Sequence, residues 1–227
     1  MSSIVLSLIS QLRVVLDRHG VRGTIGKVVQ RARERVYFVR TWIWYELPLG
    51  ADRLHASLPP GLVLTRGGAS EASLLNELPS GNDEWRARRW LGAGNDLWLV
   101  LDEGRPVFAC MIFHGSTPTR AARGGWLPLP PDVVCLEASS TSTSYRGRGL
   151  IGPAAWSQIA YRLEKTGAKS IITHCGEENK VMRWAIVRSG FRQFATVHLR
   201  RVGLRQRVTV VGTGTAAHYW IAKHLQC

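Results

Sequence analysis

The chain has 227 residues, 45% of them hydrophobic and 9 of them tryptophan, a composition that excludes an intrinsically disordered protein. Lysine and arginine number 30 against 16 aspartate and glutamate residues, and the formal charge of +14 favours a polyanionic partner. Charge alone does not distinguish a phosphorylated cofactor from a nucleic acid, an acidic carrier protein or an anionic membrane surface.

The sequence lacks the marks of a membrane-spanning or secreted chain. It contains no run of 18 apolar residues, so we expect no transmembrane segment. Residues 4–9 are apolar, but charged residues follow from Arg13 onward and no signal-peptide pattern is present. The 4 cysteines are far apart and have no metal-ligand spacing. We therefore expect a cytoplasmic protein with reduced thiols and without a bound metal.

The first 36 residues have the pattern of a basic helical extension. Apolar residues recur at a helical spacing over residues 3–18, and residues 24–35 predict a second helix that is rich in lysine and arginine. The extension is expected either to pack on its own domain or to lie on a membrane surface or a partner. We therefore divide the chain into residues 1–36 and a domain of residues 37–227.

The first half of that domain predicts strands, then helices, then a hairpin. Aromatic and β-branched residues predict strands over residues 37–47 and 62–66. Helical patterns follow at residues 70–78 and 83–91. The next elements are an antiparallel hairpin and a long loop rich in glycine, proline and arginine, over residues 96–114 and 115–131.

The second half alternates strands and helices. Apolar runs predict strands at residues 133–139 and 170–174, and an amphipathic helical pattern follows each of them, at residues 150–166 and 179–189. Gly190 is well placed to end the second helix. A final hairpin and a terminal helix are expected over residues 194–211 and 218–225.

A glycine-rich basic turn joins strand 133–139 to its helix. The turn reads Tyr145-Arg146-Gly147-Arg148-Gly149. Glycine lets the backbone approach a ligand closely, and the N–H groups and dipole of a helix N-terminus favour negative charge. The two arginines add fork-shaped donors for phosphate oxygens. The turn therefore predicts a cradle for a diphosphate group.

With this turn in place, the order strand, turn, helix, strand, helix resembles the GCN5-related N-acetyltransferase (GNAT) superfamily. The family motif Gln/Arg-x-x-Gly-x-Gly/Ala, which binds the coenzyme A pyrophosphate, fits the turn in two registers. One register matches at Arg146 and Gly149 but has Ile151 where glycine or alanine is usual. The other register matches both Gly147 and Gly149 but begins with Ser144. We prefer the first, because Gly149 then lies at the helix start.

The resemblance implies an α+β fold, with a mixed, mostly antiparallel central sheet flanked by helices. It also implies acetyl-CoA or another acyl-CoA as the co-substrate, with the pantetheine arm lying along the strand before the cradle. The residues that it implies in coenzyme binding are Leu136, Glu137, Ala138, Tyr145, Arg146, Gly147, Arg148, Gly149, Leu150, Ile151 and Asn179. For Asn179, a helix N-cap is an equally good interpretation.

Acyl transfer to an amine needs a base for the amine proton, and Glu137 is the first candidate. It lies among apolar neighbours on the strand before the cradle, and desolvation there is a common way to strengthen a carboxylate base. The alternative for Glu137 is an ion pair with one of the many arginines. His174 is the second candidate and His114 the third, and each has a purely structural role as its alternative.

The family's frequent general acid has no counterpart in this chain. The resemblance places that acid, a tyrosine, four residues before a Gly-Phe pair, and here Ile186 precedes Gly190 and Phe191. Tyr145, Tyr161 and solvent are the alternatives as proton donors.

The segments expected to form the acceptor pocket combine tryptophan with arginine. Trp85, Arg89 and Trp126 are the candidate substrate-binding residues. Such a surface suits a carboxylate or phosphate attached to an apolar group and suits a cationic peptide poorly. We therefore expect a small primary amine with an anionic end. An acidic acyl carrier protein is an alternative acyl donor, and the sequence specifies no oligomeric state.

The sequence thus predicts an acyl-CoA-dependent N-acyltransferase that transfers an acyl group, most simply acetyl, directly to an amine in a ternary complex. One alternative is a non-catalytic module that binds acyl-CoA, which would explain Ile186 and the imperfect cradle motif. The other is a nucleic-acid-binding protein, which would explain the charge but not the order of strands and helices. We expect no nucleic-acid partner.

Overall fold

A computed structural model describes residues 37–50, 56–79, 84–147, 151–203 and 205–226. The predicted helical extension, residues 1–36, lies outside these ranges, and so do Arg148, Gly149 and Leu150 of the predicted cradle. The described strands are β1 (Tyr37–Pro48), β2 (Leu62–Gly67), β3 (Asp96–Asp102), β4 (Arg105–Phe113), β5 (Ser116–Pro118), β6 (Trp126–Pro128), β7 (Val133–Thr141), β8 (Ser170–Gly176), β9 (Arg192–Val202) and β10 (Arg205–Gly212). The described α-helices are α1 (Glu84–Gly92), α2 (Ile151–Glu164), α3 (Lys180–Arg188) and α4 (Ala216–Leu225).

Eight of the strands form one sheet, in the order β10-β9-β1-β8-β7-β4-β3-β2. Strands β7 and β8 run parallel, and α2 connects them as a parallel pair requires. The pairs β1–β8, β4–β7, β3–β4 and β2–β3 are antiparallel. The predicted mixed, mostly antiparallel sheet with flanking helices is therefore confirmed.

Helices α2 and α3 pack on the sheet through periodic apolar stripes. Ala155, Ile159 and Leu163 recur every four residues of α2 and all lie in the main hydrophobic core. Helix α3 begins after Asn179, whose side-chain oxygen accepts from the Met182 backbone N–H at 3.1 Å. The N-cap interpretation of Asn179 is therefore confirmed.

One local prediction was refined and one was wrong. The helix predicted over residues 70–78 is a 3-10 helix, Glu71–Glu77, and the Ser70 hydroxyl donates to the Glu71 carboxylate. The predicted loop 115–131 contains a two-stranded ribbon of β5 and β6. A three-residue strand is too short to show the alternation from which strands are predicted.

The chain divides into two compact units. Residues 37–40, 198–203 and 205–208 are the described part of the smaller unit, where Arg201 donates to Gln206 at 2.5 Å. The larger unit, residues 41–197 and 209–226 where described, contains every contact discussed below. Across the described ranges, no helix combines the length and apolar character needed to span a membrane.

Candidate functional site

The central strands β7 and β8 pair at their beginnings and then separate. Pairing comprises three residue pairs, the last of which joins Cys135 to Ile172. Both strands continue well beyond this pair, so the sheet opens between them. We call this opening the fork; it lies between residues 136–141 of β7 and residues 173–176 of β8. At its start, Thr173 Oγ1 donates to the Leu136 carbonyl at 2.7 Å.

A β-bulge lies on the β7 side of the fork. The register of β4 and β7 shifts between Ala109 and Met111, so that Ala138 and Ser139 occupy the space of one residue. Ala138 has a φ of +55°, an uncommon value for a residue other than glycine. Such a bulge bends its strand and changes the direction of neighbouring side chains.

Two serine hydroxyls beside the bulge are buried. Ser139 Oγ and Ser140 Oγ lack a hydrogen-bond partner among the residues that the structure describes. Buried hydroxyl groups normally have a partner, because leaving one unpaired costs free energy. As far as the chain is described, β7 thus carries two unpaired buried hydroxyls within the part of its length that borders the fork.

Glu137 of β7 and His174 of β8 meet across the fork. His174 Nδ1 lies 2.5 Å from Glu137 Oε1, an ion-pair contact in which the ring nitrogen is not aligned for a hydrogen bond. The side chains are 11% exposed for His174 and 17% exposed for Glu137, so water reaches them little. The thiol of Cys135 donates to the same carboxylate at 3.6 Å, and burial raises the pKa of this thiol well above its usual value. The structure thus joins the two predicted bases into one pair.

Two tryptophans of β1 surround the imidazole ring of that pair. Trp44 is directly opposite His174 in the β1–β8 register, and their rings stack with centroids 4.3 Å apart and planes 9° apart. Trp42 approaches the same imidazole edge-on at 6.3 Å. This packing fixes the plane of the imidazole ring. The sequence analysis predicted only a strand here. Trp42 and Trp44 are two residues apart, however, and this spacing places both side chains on one face of a strand.

The basic turn follows β7 and leads into α2. A single 3-10 turn, Thr143–Tyr145, precedes Arg146, whose Nε donates to the Thr141 carbonyl at 3.0 Å. The Tyr145 hydroxyl donates to the Asp102 carboxylate and ties the turn to the neighbouring hairpin. Gly147 has a φ of +77°, which glycine adopts readily.

The start of α2 does not test the predicted cradle, because the central residues of the turn are not described. The described helix begins at Ile151, whose side chain is buried in the core, so a ligand could meet only the backbone of this residue. A helix N-terminus with Arg146 and Gly147 just before it suits an anion. Arg148, Gly149 and Leu150 lie outside the described residues.

The third predicted base, His114, lies in a different cluster. His114 Nε2 is 3.1 Å from Asp96 Oδ2, and Arg66 pairs with the other oxygen of the same carboxylate. Burial raises the pKa of Asp96, but hydrogen bonds from His114 and Arg66 outweigh burial and hold this pKa below its usual value. This contact with Asp96 is consistent with the structural role that was the alternative for His114.

The predicted acceptor residues lie around an aromatic cluster. The Phe113 ring contacts the rings of Trp90 and Trp126 edge-on, with centroid distances of 5.0 and 6.2 Å. Trp85 is exposed on α1, where the Arg86 guanidinium lies 5.5 Å from its ring and 5.8 Å from that of Trp90. The same helix carries Arg89, which is exposed. Aromatic rings with an accessible guanidinium are a suitable surface for an anionic, partly apolar molecule.

The position of the family's tyrosine acid lies inside the core. Ile186 of α3 is 0% exposed and belongs to the same hydrophobic cluster as Phe191. Gly190, with a φ of +87°, ends α3 as predicted. Within the described ranges, no group of three or more histidine, cysteine, aspartate or glutamate side chains could hold a metal ion.

Solved structures share this architecture. GCN5-related N-acetyltransferases from Sphaerobacter thermophilus and Kribbella flavida both match with TM-scores of 0.50, at 14% and 18% identity over 83% and 76% of this chain. A GNAT-family acetyltransferase from Colwellia psychrerythraea also matches with a TM-score of 0.50, at 13% identity over 73% of this chain. This chain spans 57%, 63% and 56% of the three structures, respectively. No protein-family model matches the sequence, and no curated protein matches it.

These likenesses show the fold. A mixed sheet that opens between its central parallel strands, with a helix leading from one to the other, defines the class of α+β protein to which the chain belongs. The chain has the GNAT fold, and the resemblance found in its sequence is confirmed at that level.

Proposed function

We propose that this protein is an acyl-CoA-dependent N-acyltransferase, most simply an acetyltransferase, acting on a small primary amine. The observation that carries the proposal is the fork, with the Glu137–His174 pair across its mouth and the basic turn at the end of the same strand. An extended arm can add to an open strand edge as another strand would. The β7 backbone at Leu136, Glu137 and Ala138 is the edge that would receive the pantetheine arm.

The residues at the fork suit an acyl-CoA molecule along its length. The buried hydroxyls of Ser139 and Ser140 offer donors beside the β7 edge. Arg146, Gly147 and the start of α2 would hold the diphosphate, together with the neighbouring residues 148–150. Asn179 would contact the pantetheine arm while it caps α3.

The proposed chemistry is direct attack of the amine on the thioester that acyl-CoA supplies. Glu137 accepts the amine proton, and His174, whose Nδ1 lies 2.5 Å from the carboxylate, holds it in position. A positioned general base contributes about 10²- to 10⁴-fold to a rate, and holding both reactants together contributes further. No covalent enzyme intermediate is required.

The proposed acceptor is a small primary amine with an anionic end. Trp85, Arg89 and Trp126 are its proposed contacts, because aromatic rings and guanidinium groups recognise an anion attached to an apolar body. An acidic acyl carrier protein is the alternative donor, drawn by the charge of +14. A cytoplasmic location completes the proposal, with residues 1–36 either packed on their own domain or in contact with a membrane surface or a partner.

A second candidate function is a non-catalytic module that binds acyl-CoA. Ile186, 0% exposed where the family carries its tyrosine acid, favours it. Such a module would keep the fork and the basic turn and would lack turnover.

Both candidates are tested by supplying acetyl-CoA and a library of small amines, with and without a carboxylate or phosphate. We expect release of free thiol with some of the amines, and mass spectrometry should find the acylated amine in equal amount. Glu137→Gln is the matched control, since it removes the base and keeps the shape of the side chain. Tight acetyl-CoA binding without thiol release in any mixture would favour the non-catalytic module. If the protein neither bound acetyl-CoA nor released free thiol, both candidate functions would be contradicted.

A further inference from the structure

The leaving thiolate of the proposed reaction needs a proton, and the structure limits which tyrosine could donate it. The chain has 5 tyrosines, and all of them lie within the described ranges. Three of these tyrosines are exposed, namely Tyr37, Tyr161 and Tyr219. The Tyr145 hydroxyl already donates to Asp102. The remaining tyrosine is Tyr45 of β1.

Tyr45 lies beside the fork. It faces Thr173 in the β1–β8 register, and Thr173 is the first β8 residue beyond the last β7–β8 pair. The Tyr45 side chain is 2% exposed and belongs to the same hydrophobic cluster as Leu136 of the fork and Ile186 of α3. The Tyr45 phenol therefore lies in the same hydrophobic cluster as Ile186, which stands at the position of the family's helix tyrosine. Tyr45 reaches this cluster from the sheet, whereas Ile186 reaches it from α3.

The Tyr45 phenol is held by an arginine of α3. Arg183 Nε donates to the Tyr45 hydroxyl oxygen at 3.3 Å, and Arg183 Nη1 donates to the Glu177 carbonyl at 3.3 Å. A hydroxyl that accepts from arginine keeps its own proton for a second partner. The same guanidinium would stabilise the phenolate that remains after this proton leaves.

The Tyr45 phenol has the protonation state that a general acid needs. Burial raises its pKa, whereas the hydrogen bond from Arg183 acts in the opposite direction and is the smaller effect. The titratable groups that face it are Arg183 from α3 and Cys175 from β8. Tyr45 is therefore protonated near neutral pH.

Acid and base reach the fork from opposite faces of the sheet. Successive residues of a strand point to opposite faces, so Tyr45 faces away from Trp44. Trp44 stacks on His174, which contacts Glu137, whereas Tyr45 contacts Arg183 of α3. A base on one face and an acid on the other suit an amine that approaches from one side of the thioester and a thiolate that departs on the other.

We propose that Tyr45 is the general acid that protonates the leaving thiolate and that Arg183 is its positioning residue, an inference that rests on the proposed function. The amine nitrogen forms a bond to the carbonyl carbon, and the bond from carbon to sulfur breaks with its electron pair on sulfur. The Tyr45 O–H gives its proton to this sulfur and yields free thiol. The phenolate regains a proton from water, while Glu137 and His174 release the amine proton to water, so charge balances.

The test compares Tyr45→Phe with Tyr219→Phe, a matched control on the exposed surface of α4 that should keep its turnover. Tyr45→Phe should lower kcat about 100-fold and leave the acetyl-CoA Kd, measured by calorimetry, within about 2-fold. In the wild type, kcat should fall at alkaline pH, where the Tyr45 phenol loses its proton. This fall should disappear in Tyr45→Phe. Adding Ile186→Tyr to Tyr45→Phe should restore part of the turnover, which a merely structural role for Tyr45 would not allow.

Two further variants, Arg183→Gln and Cys175→Ser, test the role of Tyr45 independently. If Tyr45→Phe does not fold, Arg183→Gln retains the phenol and should lower kcat about 10-fold and move the alkaline fall of kcat to higher pH. Cys175 also loses its proton at alkaline pH, since burial raises its pKa to about 11. If Tyr45 causes the alkaline fall of kcat, Cys175→Ser should retain that fall. Full turnover in Tyr45→Phe, with the alkaline fall retained, would overturn the role of Tyr45 and leave the proposed function intact. A wild-type protein that releases no thiol would instead overturn the proposed function.

Discussion

Two pairs of histidine and carboxylate lie on this sheet, and they differ in what the strands around them do. Asp96 and His114 join β3 to the end of β4, two strands that stay hydrogen-bonded, and Arg66 shares the carboxylate. Glu137 and His174 join β7 to β8 beyond the point where these strands separate. Among the described residues, the ion-pair partner of Glu137 is His174. The same side-chain types thus reinforce the sheet at one place and, in the proposed function, carry the chemistry at the other.

The largest expected difference between the two pairs is in turnover. Glu137→Gln should lower kcat by about 10²- to 10⁴-fold, because the amide cannot accept the amine proton. The acetyl-CoA Kd should change by less than about 3-fold, because the carboxylate is not a predicted phosphate ligand. Steady-state kinetics with the best amine of the library, together with calorimetry, would measure both effects.

Asp96→Asn is the matched control in the other pair and should keep most of the turnover. If Asp96→Asn lost as much turnover as Glu137→Gln, the assignment of chemistry to one pair and of structure to the other would be wrong.

The second expected difference is in stability. Asp96→Asn leaves the Arg66 guanidinium and the His114 ring without their carboxylate and should lower the free energy of unfolding by about 1–3 kcal/mol. The lower part of this range is expected, since the Arg66 side chain is largely exposed. Urea denaturation near neutral pH measures the loss, and a smaller loss in Glu137→Gln would complete the contrast.

Acid should remove the contribution of Asp96. The pKa of Asp96 is lowered in the folded state, so its contribution to stability is complete above the unfolded value, about 4, and is lost as pH falls through the folded value. The difference in unfolding free energy between wild type and Asp96→Asn should therefore shrink between about pH 5 and pH 3. A difference that stayed constant over this interval would show that ionisation of Asp96 does not stabilise the fold.

The smallest effect is expected for His114→Gln. This variant keeps a donor near Asp96, so the unfolding free energy should fall by only about 0.5–1.5 kcal/mol and turnover should stay near that of wild type. The corresponding change in the other pair, His174→Gln, should lower kcat about 10-fold, since a positioning partner contributes less than the base itself. Equal turnover of the two glutamine variants would remove His174 from the proposed mechanism.

The fold could be predicted wherever the sequence has a clear period. The four-residue repeat of Ala155, Ile159 and Leu163 specifies α2, and Gly190 marks the end of α3. The helix at residues 71–77 was also predicted, although its pattern did not distinguish a 3-10 helix from an α-helix.

The candidate site could be predicted only in part, because its geometry depends on contacts between distant segments. Glu137 and His174 were each chosen from the sequence, but their contact depends on where β7 and β8 separate. Trp44 and Tyr45 contribute to the site only because β1 pairs with β8, about 130 positions further along the chain. The bulge at Ala138 could not be predicted from the sequence, because alanine has no preference for the φ of +55° that it adopts there.

The central claim is that the fork and the basic turn together hold an acyl-CoA molecule. Isothermal titration calorimetry with acetyl-CoA tests it most directly, with the variant Arg146→Ala/Arg148→Ala and the control Arg200→Ala/Arg207→Ala, which removes the same charge from exposed positions of β9 and β10. We predict saturable binding of one molecule per chain, weakened by at least about 10-fold in the first variant and nearly unchanged in the control. Absence of binding to the wild type, or equal affinities in all three proteins, would contradict the account.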